Sequence, residues 1–216
     1  NVDIAWRGIL FFTFGTSLSA TLRYIGRNID VLILGKFVTP DVVGNYSLAR
    51  KISNLICLFT DPLPVVLYPE IARHWATQNI KQIKQIFIKY SIGALSMTAL
   101  IFMTLGLTSP YFVPIFLGKE YSDVSFLLWI IAPGTTIASG LFLMYYVLLA
   151  MGKISIVINA SIIQFGVLLI LSIALVPLTK EIGSAISLTM AIVGSHLFLL
   201  TYVLRALSNP RIKIQR

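Results

Sequence analysis

The chain has 216 residues, 57% of them hydrophobic and only 12% charged, with 17 lysines and arginines against 8 acids. At a mean hydropathy of +0.88 no soluble domain of this size could hide so much apolar surface, so its solvent is a bilayer. The net charge of +9 invites a nucleic-acid partner, but its placement along the chain assigns it to membrane orientation and excludes nucleic acid.

A helix needs about 20 apolar residues to cross the hydrocarbon. Stretches of that length fall at residues 8–34, 42–68, 86–108, 124–149, 155–177 and 183–204. The predicted fold is therefore all-α, a polytopic integral membrane helix bundle forming one transmembrane lobe over residues 1–216. Its links are too short for a water-soluble catalytic domain. The sequence opens at Asn1 with no leader of basic start and small-residue cleavage site before the first span, so a piece of a longer chain is expected.

In the first span Thr16, Ser19, Arg23, Arg27 and Asp30 share a sector of about 80° on a helical wheel. Thr39-Pro40-Asp41 is a helix start: a capping residue, a proline tolerated in the first turn and an acid at the positive end of the dipole. The second span repeats the seam with Tyr46, Ser47, Arg50, Ser53, Asn54, Cys57 and Asp61, within about 120°. Lys51 points about 100° away from Arg50 and is left out of the seam. Cys57 is the sole cysteine, so no internal disulfide or cysteine metal cluster can form. Pro62, Pro64 and Pro69 should kink or unwind the far end of this span.

Between Trp75 and Tyr90 the apolar Ile80, Ile83, Phe87 and Tyr90 alternate with Lys81, Lys84 and Lys89. This spacing suits either an amphipathic helix on the inner leaflet or a solvated turn with a basic flank. The hydroxyls of the third span scatter around the helix, and Gly106 through Pro114 is expected to end it, leading into the aromatic outer loop Pro110–Tyr121. Pro133-Gly134 should bend the fourth span. Asn159 and Gln164 in the fifth suit helix bridging, and Gly183, Ser187, Ala191 and Ser195 in the sixth form a small-residue packing face. His74 and His196 have no second ligand at suitable spacing, so no metal is expected.

The charges alternate between faces. One set of connections carries Arg7, Arg73, Lys81, Lys84, Lys89, Lys153, Arg205, Arg211, Lys213 and Arg216; the other carries Lys36, Lys119 and Lys180 with Asp41, Glu120, Asp123 and Glu181. The positive-inside rule places the first face, with both ends of the segment, in the cytoplasm. Arg50 then lies about 15 Å below the outer surface and Arg23 about 20 Å below it, near the middle of a core about 30 Å thick. Each such charge costs at least about 2.5–3.5 kcal/mol against lipid, so these arginines must face a hydrated cavity or partners. Two readings stand. In one, Asp30 neutralises Arg27 three positions away, a structural ion pair. In the other, Arg23, Arg27 and Arg50 form a cavity anion site, whose guanidinium forks suit phosphate, with Asp30 and Asp61 as candidates for pairing or ion coupling.

Several runs, each loose alone, together resemble one known family. They are Arg27-Asn28-Ile29-Asp30-Val31-Leu32-Ile33-Leu34-Gly35-Lys36-Phe37, Val43-Gly44-Asn45-Tyr46-Ser47-Leu48-Ala49 and Pro69-Glu70-Ile71-Ala72-Arg73. Phe116-Leu117-Gly118-Lys119-Glu120-Tyr121, Leu148-Leu149-Ala150-Met151-Gly152-Lys153 and Ile182-Gly183-Ser184-Ala185 continue the likeness. The chain resembles the polysaccharide-transport family of O-antigen-type, lipid-linked oligosaccharide flippases, within the superfamily that also holds multidrug exporters and the lipid II flippase. Members usually have two six-helix lobes that rock about a central cavity, and this chain looks like one lobe, the C-terminal one. The resemblance implies export of an undecaprenyl-pyrophosphate oligosaccharide across the bacterial inner membrane, with cavity arginines on the pyrophosphate. The implied partners are that substrate, bilayer lipids, the missing N-terminal lobe or a second copy, and polysaccharide assembly proteins. It implies no cofactor beyond a coupling proton or sodium ion.

An integral-membrane enzyme would need a base or nucleophile in a sizeable loop, which His74 and His196 do not supply. A cation-coupled drug exporter would favour buried carboxylates and aromatics over surplus arginines. A channel would need a filter-like loop, and none is visible.

Overall fold

A computed structural model describes residues 2–208, apart from the side chains at 2–5, 7–9, 11, 12, 23 and 27. The basic residues Arg211, Lys213 and Arg216 and the side chain of Arg7 thus lie outside the described residues. All regular structure described is helical: α1 (Val2–Gly35), α2 (Pro40–Asn54) running into a 3-10 turn (Leu55–Phe59), α3 (Leu63–Ala76), α4 (Ile80–Phe116), a 3-10 turn (Lys119–Tyr121), α5 (Asp123–Gly140), α6 (Leu143–Ala150) and α7 (Ile154–Ser208). By length and apolarity α4, the 119–150 stretch and α7 can each cross a membrane, and α2 with α3, bent by 47°, makes a fourth candidate. Leu32, Leu100, Ile170 and Leu178 are between 69% and 80% exposed, as lipid-facing side chains are in a bilayer protein. The molecule is an all-α membrane helix bundle.

At 55 residues α7 would be about 80 Å long if straight, far more than one bilayer. It breaks at Lys180, whose φ of 53° and ψ of −126° are not helical. The two arms, residues 154–179 and 181–208, fold back on each other, since Ser195 Oγ on the second donates to Gln164 Oε1 on the first at 3.4 Å. Near the turn Gly183 lies so close to the first arm that a Cβ there would stand 2.7 Å from the Leu175 carbonyl. The small-residue face Gly183, Ser187, Ala191 and Ser195 is buried throughout. Beside it Thr189 packs on Gly134 of α5 and donates to the Ile130 carbonyl at 2.7 Å.

One expectation fails for a plain physical reason. The third span does not end between Gly106 and Pro114; α4 runs through Pro110 and Pro114 to Phe116. Pro110 has no amide to give the Gly106 carbonyl, but Ser109 Oγ donates to that oxygen at 2.9 Å, so the helix continues. Pro133 lies inside α5, which continues to Gly140 before the chain leaves the helix at Leu141–Phe142. The segment Trp75–Tyr90 is neither a separate surface helix nor a free turn. Asn79 accepts from Gln82 N at 3.2 Å and caps α4, so residues from Ile80 on are the first turns of the span itself. Ile83 and Phe87 are buried there and Lys81, Lys84 and Lys89 exposed.

The interior divides into two apolar cores along the bundle. One gathers Leu34, Tyr46, Ile56, Leu128, Ile131 and Leu188; the other gathers Leu67, Ile71, Ile83, Met144, Leu148 and Val203. The breaks in α2–α3 and in α5–α6 meet at one level, where Ser139 Oγ donates to Cys57 Sγ at 3.1 Å. There Gly140 lies on α4, leaving only 2.9 Å between a would-be Cβ and Leu95 Cα. This narrow waist separates the two cores.

Candidate functional site

α1 and α2 are placed by the turn at Lys36–Thr39, whose amides return to Ile33 and Leu34, and by Pro40, which starts α2. That antiparallel arrangement brings Asp30 opposite Tyr46 and Arg50. Asp30 is fully buried. Arg50 Nη1 donates to its Oδ1 at 2.7 Å and to its Oδ2 at 2.9 Å, and Tyr46 Oη donates to Oδ2 at 2.5 Å. Both carboxylate oxygens are thus engaged, as a buried charge requires. The guanidinium carbon stands 5.9 Å from the Tyr46 ring centroid, and its side chain keeps 14% exposure. Among the described side chains the ionic partner of Asp30 is Arg50 on the neighbouring helix.

The rest of each seam divides. Ser19 hydrogen-bonds Ser161 of α7 at 2.7 Å, and Ser53 hydrogen-bonds Thr135 of α5 at 2.5 Å. With Cys57 to Ser139, these contacts fasten α1 and α2 to the rest of the bundle. The side chains of Arg23 and Arg27 lie outside the described residues; their backbone is helical, within α1. Asp61 is exposed in the turn before α3, well away along the chain from the Asp30 cluster.

The remaining polar residues point outward. Thr13, Ser17, Thr21 and Asn28 are exposed on α1, and Lys51 and Asn54 on α2. Lys51 is eleven positions beyond Pro40, about 16 Å into the bundle. Lys51 makes no ion pair among the described residues. Its exposure was missed by the wheel argument because that argument sought one common stripe. The signal available was simply a lysine well inside a predicted span. No group of three or more metal-ligating side chains occurs among the described residues.

What this arrangement offers chemically is an exposed lysine and exposed amides, Lys51, Asn54 and Asn28, on two helices whose buried carboxylate is already satisfied. The comparisons agree with a transport setting. Residues 4–126 match the family described as polysaccharide biosynthesis protein. Among curated proteins the chain is similar to a probable low-salt glycan biosynthesis flippase of Haloferax volcanii, 26% identical over 164 residues, 75% of this chain and 34% of the relative. It is similar to a capsular polysaccharide biosynthesis protein of Staphylococcus aureus, 25% identical over 198 residues, 88% of this chain and 48% of the relative. A putative O-antigen transporter of Escherichia coli is 30% identical over 160 residues, 73% of this chain and 38% of the relative. The chain thus spans between 34% and 48% of the length of these relatives. No solved structure matches it significantly. On the family match, which covers more than half of its residues, this multi-pass membrane chain belongs to the polysaccharide biosynthesis protein family.

Proposed function

We propose that this chain is one lobe, the C-terminal one, of a flippase that moves a pyrophosphate-linked oligosaccharide from the inner to the outer leaflet of a bacterial inner membrane by alternating access. The observation that carries the reading is Lys51, exposed on α2 within a bent helix pair that is long and apolar enough to cross a membrane. A lysine there would cost about 2.5–3.5 kcal/mol against lipid, so the face of α2 that carries it borders water, substrate or a second lobe. Within residues 16–34 and 42–57 one acid, Asp30, stands against Arg23, Arg27, Arg50 and Lys51. With Asp30 held by Arg50 and Tyr46, the surplus is positive and suits an anion.

In the proposed cycle the pyrophosphate head enters an inward-open cavity beside α1 and α2 while its lipid tail stays in the bilayer. Arg23, Arg27 and Lys51 lower the cost of carrying the anion across, and the lobes then rock outward. Asp30 or Asp61 is the place for coupling to protons or sodium, because exchanging a cation at either changes the charge the head meets. No covalent chemistry is needed, and we assign no enzymatic role. The positive-inside argument puts both ends of the segment in the cytoplasm.

The test is translocation of a pyrophosphate-linked oligosaccharide by the full-length parent in vesicles. Alanine at Arg23, Arg27 or Lys51 is expected to slow it at least about tenfold at equal protein level, the worth of one charged hydrogen bond. Normal rates in all three variants would remove the anion-guiding role. Export of a cationic drug but of no glycan would favour the exporter reading.

A further inference from the structure

At the end of the bundle opposite the α6–α7 turn, a cavity of about 380 Å³ is lined by Lys36, Phe37, Val38, Thr39, Val42 and Lys180. Its two lysines come from distant parts of the chain, the α1–α2 turn and the break in α7. Only three lysines were expected on this face of the membrane, and two of them meet here. Neither is ion-paired among the described residues. Both lysines are exposed, and the rest of the lining is Phe37, Val38, Thr39 and Val42.

The backbone adds a second observation. Lys180 holds φ at 53°, a left-handed value at which a lysine is uncommon and a glycine is at ease. A turn needing that conformation alone would be served by glycine. Instead the strained position carries a lysine that lines this groove, and strain of this kind persists where it does something. Thr39 contributes a hydroxyl to the same lining, a donor for an oxygen ligand.

We infer that the Lys36–Lys180 cavity is an oxyanion-binding site at the outer mouth of the bundle, taking a phosphate group or a sugar carboxylate. A small anion between the two ammonium groups removes their repulsion and gains two charge-assisted hydrogen bonds. The site is separate from the proposed α1–α2 anion path and stands whether or not the chain is a flippase. If it is, the anion leaving that path meets this pair next.

Because cavity arginines would also attract anions, the readout must resolve each lysine. The full-length parent in detergent would be treated with a water-soluble amine-acylating reagent and Lys36 and Lys180 modification read by peptide mass spectrometry. Inorganic pyrophosphate in one arm and galacturonate in the other separate the phosphate from the carboxylate source. At least one anion is expected to slow acylation of both lysines about tenfold. Lys180→Gln should abolish protection of Lys36, and Lys36→Gln that of Lys180. Lys180→Gly should do the same while relieving the backbone, so loss of protection there cannot be put down to unfolding. Acylation unaffected by either anion, or protection of one lysine surviving loss of the other, would overturn the site. Alanine at Arg23 and Arg27 should leave protection intact, which keeps this outcome distinct from that of the translocation assay.

Discussion

At the scale of single residues, the Asp30 cluster decides how the α1–α2 pair holds together. The carboxylate has no exposure, and among the described residues its side-chain hydrogen bonds come from Arg50 and Tyr46. Arg50→Ala would leave it buried and uncompensated, a loss on the order of 3 kcal/mol. Tyr46→Phe removes one bond and should cost about 1–2 kcal/mol. The double change Asp30→Asn with Arg50→Gln removes both charges and should cost less than Arg50→Ala alone. Thermal unfolding in detergent checks the order. If Arg50→Ala were as stable as the parent, the pair would not be structural and its arginine would be available to substrate. Tyr46 and Arg50 were both visible in the sequence seam; their meeting with Asp30 was not, because a wheel gives directions on one helix and never which neighbour is faced.

Among the elements, the sequence was most readable where backbone chemistry is local. Thr39-Pro40-Asp41 does start α2, and the prolines after Cys57 do coincide with a 3-10 turn and a 47° bend. The small-residue face of the last helix is buried, and Gln164 does bridge to a neighbouring rod. The misreading concerns a proline whose effect depends on a side chain. Pro110 looks like a helix stop, yet a proline deprives only one carbonyl of its amide, and a nearby hydroxyl can replace that donor. Ser109→Ala should therefore leave the Gly106 carbonyl unsatisfied in an apolar surrounding, at about 1–2 kcal/mol. A melting temperature unchanged in Ser109→Ala would mean that the helix passes Pro110 without help.

For the whole molecule, the polar residues of α1 and α2 separate into those fastening the bundle and those left outside. Only the second kind can line a cavity, and their accessibility is measurable. In a Cys57→Ser background of the full-length parent, cysteine at Lys51 or Asn54 should react with a membrane-impermeant thiol reagent at least about tenfold faster than cysteine at Leu100, since the thiolate forms only where water reaches. Equal, slow reaction at all three would mean that α2 faces lipid or a dry interface. Hydropathy sufficed to recognise a polytopic helical bundle, and short motifs pointed to its family. The division of the polar stripe was hidden because it depends on α5 and α7, which come from distant parts of the chain to pack against α1 and α2.

The waist at Cys57 and Ser139 has a mechanical consequence. Two of the rods are jointed at the same level, while α4 passes that level unbroken. Bending stiffness is lowest where jointed members coincide, so a load applied at one rim concentrates there. α3 has 14 residues, about 21 Å of lever arm. A deflection of about 10° at the joint would carry its far tip about 4 Å sideways. The lower storey could thus sway against the upper one with each storey's packing preserved, the compliance resting on a few hydrogen bonds to sulfur and hydroxyl.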